Sequence, residues 1–340
     1  MLTNYNYTKM LFFSIMILSS LFSISSLSFI NMWMGMEVNL IAFIPLMINN
    51  NNSLSSESMM KYFLIQSLSS ANFILSSIIL ISMNKWFNLF NSMNYFIFFI
   101  MNISLLMKMG AAPLHFWFPK TMKGLSWMNC LILSTWQKII PMIILSYCYL
   151  NFVLFMFIIL SVITGSIMGF NQTALQMILA YSSINHIGWM LTTMLINMNM
   201  WTLYFIIYSF LNSILMMMFN FMKIFHLIQI FSSKPSIYTN YFIFFNLLSL
   251  GGLPPFLGFL PKWLTINFMI LNKFYFMNFI LITSSLINLF FYLRIMYSFT
   301  MMNYFEIKFN KILFNKFNLM APLSFISMFG LIFFSLITYF

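Results

Sequence analysis

Residues 105–120, LLMKMGAAPLHFWFPK, decide the fold of this chain because they place a lysine at the end of an apolar helix, directly before a Gly-Ala-Ala-Pro interruption. A charged side chain in hydrocarbon costs roughly 2.5–3.5 kcal/mol on insertion scales. An interrupted helix also frees backbone groups to which lipid offers no hydrogen bond. We therefore expect Lys108 to lie inside protein or beside a water-filled cavity.

The composition predicts an all-α polytopic membrane protein. The chain has 340 residues, of which 62% are hydrophobic and 5% are charged, and this leaves too few polar side chains to cover a globular domain. The net charge of +12 comes from basic residues scattered singly between apolar runs. Because no basic stripe tracks a phosphate backbone, we expect no nucleic-acid partner.

Residue usage indicates where the chain is made. It contains 45 Phe and 35 Met, many Asn and no Asp. This bias favours residues with A- and T-rich codons, which is typical of a small organellar genome. We interpret most of the Phe and Met as lipid-facing residues in place of Leu.

Dividing the apolar runs at polar or charged clusters predicts about eleven transmembrane helices of about 20 residues each. The predicted spans are 9–30, 32–49, 58–83, 94–118, 126–149, 151–170, 174–197, 199–224, 238–271, 274–300 and 319–340, with 94–118 and 238–271 broken. Eight loop lysines fall on the side of the N-terminus and two, Lys85 and Lys273, on the other. By the positive-inside rule the N-terminus faces the compartment of synthesis, which is the matrix for an organelle-encoded chain. An odd number of spans places the C-terminus on the opposite side, in the intermembrane space.

The interruption has a counterpart later in the chain. Gly-Ala-Ala-Pro at 110–113, followed by Phe-Pro-Lys at 118–120, matches Gly-Gly-Leu-Pro at 251–254, followed by Leu-Pro-Lys at 260–262. Two Gly/Pro-interrupted segments in corresponding halves are typical of transporters built from inverted repeats, with sites at the broken helices.

This match predicts one transmembrane domain over residues 1–340. Its pseudo-repeat halves lie at roughly 32–150 and 174–300, flanked by helices 9–30 and 319–340. The lysines themselves do not correspond, because Lys108 precedes its interruption whereas Lys262 follows and aligns with Lys120, which we expect in a loop.

Ionisable residues inside the apolar helices are the candidates for function. They are Glu37, Lys108, Lys138 and Lys262, with His115 and His186 as further members. Glu37 is the only acid well inside a predicted span. A glutamate and a lysine buried in one bundle change each other's proton affinity, so making and breaking the pair would load and release a proton.

Each of the other candidates has a functional and a structural interpretation. Lys138 lies too far inside its predicted helix to reach the headgroups, which favours a proton relay. Lys262 follows the second break, where free carbonyls and water would receive its proton, or it is a charge at a helix end. His186 lies on a polar face that would hold a water wire, or it is a hydrogen-bonded packing residue. His115 directly follows the first break, where it would transfer protons or cap the helix.

Signatures of cofactor chemistry are absent from the sequence. It contains no Gly-rich phosphate loop and no Cys-x-x-Cys pair, and its three histidines are dispersed. Metal and haem sites need paired ligands at defined spacings. We therefore expect no cofactor and no metal on this chain, and place any electron or nucleotide chemistry on other chains.

Five motifs resemble those of a known family. They are WMGMEVNL (33–40), KMGAAPLHFWFPK (108–120), STWQKIIP (134–141), SSINHIGWM (182–190) and SLGGLPPFLGFLPKW (249–263). In this order they are similar to the antiporter-like membrane-arm subunits of mitochondrial NADH:ubiquinone oxidoreductase, respiratory complex I, in an insect-like form. These subunits are related to those of multi-chain sodium/proton antiporters.

The resemblance implies proton translocation across the mitochondrial inner membrane, coupled to NADH oxidation and ubiquinone reduction by other subunits. It implies that Glu37 and Lys108 are the coupled acid and lysine of a first half-channel, Lys138 the central relay and Lys262 the ionisable residue of a second. NADH, FMN, iron–sulfur clusters and ubiquinone would be bound by other subunits.

The implied partners are neighbouring antiporter-like chains, other membrane-arm subunits and inner-membrane lipids such as cardiolipin. Two alternatives stay open at this point. The chain could be an independent cation/proton antiporter, although mid-membrane sodium sites usually recruit an Asp and this chain has none. It could also be a scaffold that holds its neighbours in place.

Overall fold

The computed structural model describes residues 2–48, 52–86, 91–229, 237–300, 322 and 324–331. These residues are helical apart from short connections and one isolated β-bridge, between Ala174 and His226. The prediction of an all-α chain is therefore confirmed for the part that the structure describes. Most of the last predicted span, 319–340, lies outside the described residues.

The chain forms two compact units, Met1–Phe157 and Ile158–Phe340. The first unit contains helices α1 (Leu2–Ser25), α2 (Phe29–Met47), α3 (Ser53–Trp86), α4 (Asn91–Met109), α5 (Trp117–Gly124), α6 (Trp127–Ser134) and α7 (Trp136–Cys148). Helix α8 (Asn151–Gly169) begins in the first unit and continues into the second. The second unit also contains α9 (Leu175–Ile196), α10 (Met198–Met222), α11 (Ile237–Gly251), α12 (Phe259–Leu271) and α13 (Tyr275–Thr300).

Within the described residues, seven helical stretches are long and apolar enough to cross a membrane. They are Tyr7–Ser25, Phe29–Met47, Ser53–Ser82, Trp127–Cys148, Asn151–Gly169, Met198–Met222 and Tyr275–Tyr297. Tyr95–Met109 and Phe259–Leu271 are apolar but shorter. Because so many stretches could each span the hydrocarbon layer, the chain is a multi-pass membrane protein.

Serine and threonine hydroxyls in these helices donate to the chain's own carbonyls. Ser76 Oγ, for example, donates to the carbonyl oxygen of Phe73 at 2.8 Å, and Thr192 Oγ1 to that of Trp189 at 2.7 Å. Such bonds to a preceding turn satisfy the hydroxyl inside its own helix. The many serines of the sequence are therefore compatible with apolar surroundings.

The predicted span over 126–149 is present at Trp127–Cys148 but is not one continuous helix, because α6 and α7 are separated at Thr135. The Thr135 hydroxyl donates to the Leu131 carbonyl at 2.7 Å, and Pro141 in α7 has no N–H to offer the preceding turn. Both features weaken the helical ladder on either side of the break. As a result Lys138 lies in the first turn of α7 and not in the middle of a long helix.

Small residues let α8 and α9 approach closely in the second unit. A Cβ added to Gly165 would lie 2.7 Å from the backbone nitrogen of Asn185, and one added to Gly188 would lie 2.2 Å from Val162 Cγ2. Small residues at such contacts are typical of helix packing in membranes. Nearly the whole of α9 is buried as a consequence.

One arginine fastens the connection between α8 and α9 to α13. Arg294 donates from Nη1 to the carbonyl of Phe170 at 2.6 Å and from Nη2 to that of Gln172 at 2.7 Å. The planar guanidinium matches two carbonyls at once, which a lysine cannot do. Arg294 thus stabilises this end of the second unit.

We expect Gly165→Ala to destabilise the second unit by about 1–3 kcal/mol, because the new methyl group would meet backbone atoms of α9 that cannot rotate away. The midpoint of thermal unfolding of the assembled complex measures this. Gly251→Ala is the matched control, since its Cβ would have no neighbour closer than 3.7 Å. Equal midpoints for the two variants would contradict the close approach of α8 and α9.

Candidate functional site

Helix α4 ends in a glycine cap at the first interruption. Gly110 has φ +75°, its N–H donates to the Met107 carbonyl at 3.1 Å, and the N–H of Ala111 donates to the Leu106 carbonyl at 3.0 Å. This pair of bonds is the Schellman arrangement, which needs a left-handed residue after the helix and therefore favours glycine. The Gly-Ala-Ala-Pro sequence thus ends the helix after Met109, and Lys108 lies in its last turn.

Side chains of the protein donate to two carbonyls at the end of α4. Gln66 Nε2 donates to the carbonyl of Lys108 at 3.1 Å, and Trp117 Nε1 donates to the carbonyl of Met107 at 3.1 Å. The last carbonyls of a helix have no partner within it, and the Gln66 amide supplies one for Lys108. The Met107 carbonyl accepts from Trp117 in addition to the Gly110 N–H. The interruption is therefore stabilised by α3 and α5 from within the first unit.

Lys108 and Glu37 share one region of the first unit. Lys108 is buried with 7% of its surface exposed, and its Nζ lies 3.4 Å from Met36 Sδ. The Glu37 carboxylate acts electrostatically on both Lys108 and the buried Tyr62. No ion pair shorter than 4 Å joins Glu37 to Lys108, although the structure describes both. The two charges therefore interact at longer range than a direct contact.

Lys138 is buried close to the same interruption, with 1% of its surface exposed. Its Nζ lies 5.0 Å from the centre of the Phe118 ring, within the range of a cation–π interaction. Phe118 in turn packs against Gly110, where a Cβ would lie 3.0 Å from the Phe118 Cβ. One aromatic side chain thus lies between the capping glycine and the second buried lysine.

A hydrogen-bonded group that the sequence analysis missed joins three helices of the first unit. Gln137 Nε2 donates to Asn39 Oδ1 at 2.7 Å, and the Tyr62 hydroxyl donates to Gln137 Oε1 at 3.4 Å. Asn39 follows Glu37 by two positions and Gln137 precedes Lys138. Polar residues beside the two ionisable ones were the signal that could have identified this group.

The second interruption repeats the cap of the first. Gly252 has φ +79°, its N–H donates to the Ser249 carbonyl at 3.0 Å, and the N–H of Leu253 donates to the Leu248 carbonyl at 3.4 Å. The structural counterpart of Gly110 is therefore Gly252 and not Gly251, which the sequence match had suggested. The glycine with the left-handed φ is the one that caps the helix, and the sequence does not show which of two adjacent glycines has it.

With this register, Lys120 and Lys262 each follow the capping glycine by ten residues. The expected loop position of Lys120 is wrong, because it lies in α5 and is exposed. Lys262 lies in α12 and is buried, with 6% of its surface exposed. Equivalent positions in the two segments thus carry one exposed and one buried lysine.

Lys262 reaches back to the helix that precedes its interruption. Its Nζ donates to the Gly251 carbonyl at 2.8 Å and to the Leu250 carbonyl at 3.3 Å. The same Nζ lies 5.8 Å from the centre of the Trp189 ring. The ammonium group of Lys262 is therefore bound by the free carbonyls at the end of α11.

The two histidines lie in different surroundings. His186 is buried in the second unit, with its Nδ1 2.9 Å from the Tyr204 hydroxyl and its ring 5.0 Å from that of Tyr208. The sequence analysis missed these tyrosines, which aromatic composition alone does not distinguish from packing residues. His115 is buried within the first interruption, where its ring stacks on Phe116 at 4.5 Å.

The structure thus distributes the predicted site residues over its two units. Glu37, Lys108, Lys138 and His115 belong to the first unit, and Lys262 and His186 to the second. In the part of the chain that the structure describes, no three His, Cys, Asp or Glu side chains come close enough to hold a metal ion. The chemistry that the described groups offer is proton binding, release and transfer.

A family model described as NADH:quinone oxidoreductase/Mrp antiporter matches residues 26–288. NADH-ubiquinone oxidoreductase chain 2 of Anopheles gambiae is 47% identical over 298 residues, which cover 86% of each chain. The protein of the same name from Aedes aegypti is 46% identical over 333 residues and covers 96% of this chain and 97% of its own.

Solved structures share the fold. A chain of respiratory complex I from Thermus thermophilus superposes with a TM-score of 0.83 at 19% identity, over 95% of this chain and 77% of that one. A chain of the Mrp complex from Dietzia superposes with a TM-score of 0.73 at 15% identity, over 84% of this chain and 59% of that one.

We expect Gln66→Leu to lower the stability of the assembled complex by about 1–3 kcal/mol, because the buried Lys108 carbonyl would lose its donor. A shift in the midpoint of thermal unfolding tests this. Ser67→Ala, a change at the neighbouring residue that faces outward, is the control. An unchanged midpoint for Gln66→Leu would show that the first interruption does not depend on this bond.

Proposed function

Because this chain belongs to the NADH-ubiquinone oxidoreductase chain 2 family, we propose that Glu37 and the buried Lys108, Lys138 and Lys262 carry protons. The chain is a proton-translocating subunit of the membrane arm of respiratory complex I. It is thereby part of a proton-translocating NADH:ubiquinone reductase. It works beside the other membrane-arm subunits of that complex.

One observation supports the residue assignment above all. Three lysines are buried in apolar helices, with 7%, 1% and 6% of their surfaces exposed for Lys108, Lys138 and Lys262. Each lies at or beside a helix interruption. Ionisable groups inside membrane segments are costly and usually mark ion or proton pathways. A packing role alone would be served equally well by methionine, which this chain uses 35 times.

In the first unit, Glu37 and Lys108 form the coupled acid and base. An ionised Glu37 stabilises a protonated Lys108, and neutralising either group makes the charged form of the other less favourable. Lys138 receives protons as the next ionisable group, and Tyr62, Gln137 and Asn39 orient the polar groups around the three residues. In the second unit, Lys262 is the terminal proton carrier and His186 a relay.

The finer architecture is part of the same proposal. Eleven transmembrane helices, two of them broken at glycine caps and a third divided at Thr135, form one transmembrane domain over residues 1–340. Its pseudo-repeat halves are 32–150 and 174–300, related as an inverted repeat. The matching glycine caps at 110 and 252 support the repeat, as each half then contains one interruption of the same design.

The location, cofactors and remaining partners follow from the family. The chain lies in the mitochondrial inner membrane, with its N-terminus in the matrix and its C-terminus in the intermembrane space. It binds lipids such as cardiolipin and no nucleic acid. It carries no cofactor, and the NADH, FMN, iron–sulfur clusters and ubiquinone belong to other subunits. The uneven distribution of loop lysines supports the orientation.

We expect Lys108→Met to reduce proton translocation and the quinone reduction coupled to it by about tenfold or more, because an essential proton-transfer group is lost. Both rates are measured on the assembled complex in vesicles, with NADH as the reductant. Lys120→Met is the matched control, since this lysine of α5 is exposed. It should retain the wild-type rates.

Other outcomes identify the alternatives. Wild-type rates in an assembled Lys108→Met complex would refute the assignment of Lys108. Wild-type pumping after Glu37, Lys108 and Lys138 are all made apolar would support a scaffold. Purification of the chain alone, with cation/proton exchange in liposomes, would support an independent antiporter.

Labelling from one side of the membrane tests the predicted orientation. Cysteines introduced at the exposed Lys123 and Lys273 should react with a membrane-impermeant maleimide from opposite sides, Lys123→Cys from the matrix. The native Cys130 and Cys148 are buried, so the unsubstituted chain serves as the background control. Labelling of both positions from the same side would show that the predicted topology is wrong.

A further inference from the structure

We propose that Gly252 and Trp189 are positioning residues for Lys262, and that they hold its amino group on the carbonyl oxygens of Gly251 and Leu250. The inference rests on the proposed role of Lys262 as a proton carrier and extends it to residues that never exchange a proton. The left-handed φ of Gly252 already explains why this position is a glycine. The proposal gives the same residue a second role.

The carbonyls at the end of α11 form the binding site. The last carbonyls of a helix have no partner within it and carry the negative end of its dipole. Lys262 Nζ reaches two of them from α12, at 2.8 Å and 3.3 Å. A protonated lysine has three donors, and the neutral amine keeps two. Lys262 can therefore release a proton and still hold both carbonyls.

Gly252 leaves room for the lysine side chain. A Cβ at this position would lie 2.8 Å from Lys262 Cδ, 2.9 Å from Nζ and 3.1 Å from Cε. The first two distances are too short for the atoms to stay in place, and the third is tighter than most real contacts, so the end of the lysine side chain would have to move. Any other residue at position 252 would thus occupy the path of the side chain to the carbonyls.

Trp189 of α9 provides an aromatic wall. Its side chain is buried, with 1% of its surface exposed, and its ring centre lies 5.8 Å from Lys262 Nζ. An aromatic face attracts the ammonium group without accepting its proton. Trp189 therefore stabilises the amino group at the two carbonyls. It does not compete with the residue or water that accepts the proton of Lys262.

The first interruption has the same cap and lacks this arrangement. There the free carbonyl of Lys108 accepts from Gln66, a neutral amide that cannot release a proton. A Cβ at Gly110 would meet Phe118 and no lysine. The two caps therefore share their backbone geometry but differ in these donors: the Lys108 carbonyl accepts from a neutral amide, and the Leu250 and Gly251 carbonyls accept from an ionisable side chain.

The first experiment compares Gly252→Ala with the wild-type chain in the assembled complex. We expect Gly252→Ala to lower coupled proton translocation by about tenfold or more, as misplacing a reacting group by about 1 Å is sufficient for such losses. Wild-type translocation by Gly252→Ala would overturn the proposal.

A double-substitution cycle separates displacement of the lysine from strain in the backbone. Gly252→Ala should lower the midpoint of thermal unfolding more in the wild-type chain than together with Lys262→Ala, where the strain of the left-handed backbone remains but no long side chain is displaced. An equal loss in both backgrounds would assign the effect to the φ of +79° and overturn the proposal.

Asparagine at position 252 separates the effect of the added Cβ from that of backbone strain. Asn tolerates the left-handed conformation but has a Cβ, so Gly252→Asn should translocate protons as slowly as Gly252→Ala. Wild-type translocation by Gly252→Asn would show that strain was the cause and that the lysine does not need the space.

Trp189 supplies the test if the glycine variants fail to assemble. Trp189→Phe keeps an aromatic face and should retain most of the coupled rate, whereas Trp189→Leu should lose about as much as Gly252→Ala. Equal rates for these two variants would contradict the role of the ring. Full translocation by Lys262→Ala would instead refute the proposed function of Lys262, whereas loss in Lys262→Ala with none in Gly252→Ala would refute the positioning role only.

Discussion

Backbone carbonyls freed by an interrupted helix must find donors inside the protein, because the surrounding lipid has none to offer. The first interruption meets this need with the Gln66 amide at the Lys108 carbonyl, and the second with the Lys262 amino group at the Leu250 and Gly251 carbonyls. Helices α3 and α12 thus each bring a donor to a carbonyl that an interrupted helix leaves free.

The same requirement connects the architecture to proton transfer. A lysine that donates to free carbonyls has a structural reason to be buried. Its amino group then lies inside the protein, where ionisable groups usually mark ion or proton pathways. Lys108 and Lys138 lie around the first interruption, where the charge of Glu37 acts on Lys108 and the Phe118 ring lies by Lys138. Each of the two units contains one glycine-capped interruption and at least one buried lysine.

The fold class could be predicted from the composition, and the candidate site residues from the few lysines and glycines that interrupt the apolar runs. The details that it did not predict depend on tertiary contacts. The break at Thr135 results from a hydroxyl bond and a missing N–H six residues later. The register of the second cap depends on the φ of Gly252. Tyr62, Gln137 and Tyr204 acquire their roles from distant neighbours, which composition and periodicity do not record.

The glycine caps have a genetic consequence in a chain whose residue usage is biased towards A- and T-rich codons. Every glycine codon begins with two guanines, so this bias acts against the ten glycines of the sequence. Any single-base change that replaces glycine introduces a β-carbon. At Gly110 that carbon would meet Phe118, and at Gly252 it would meet Lys262. These two codons are therefore positions at which the mutational tendency of the genome and the geometry of the protein act in opposite directions.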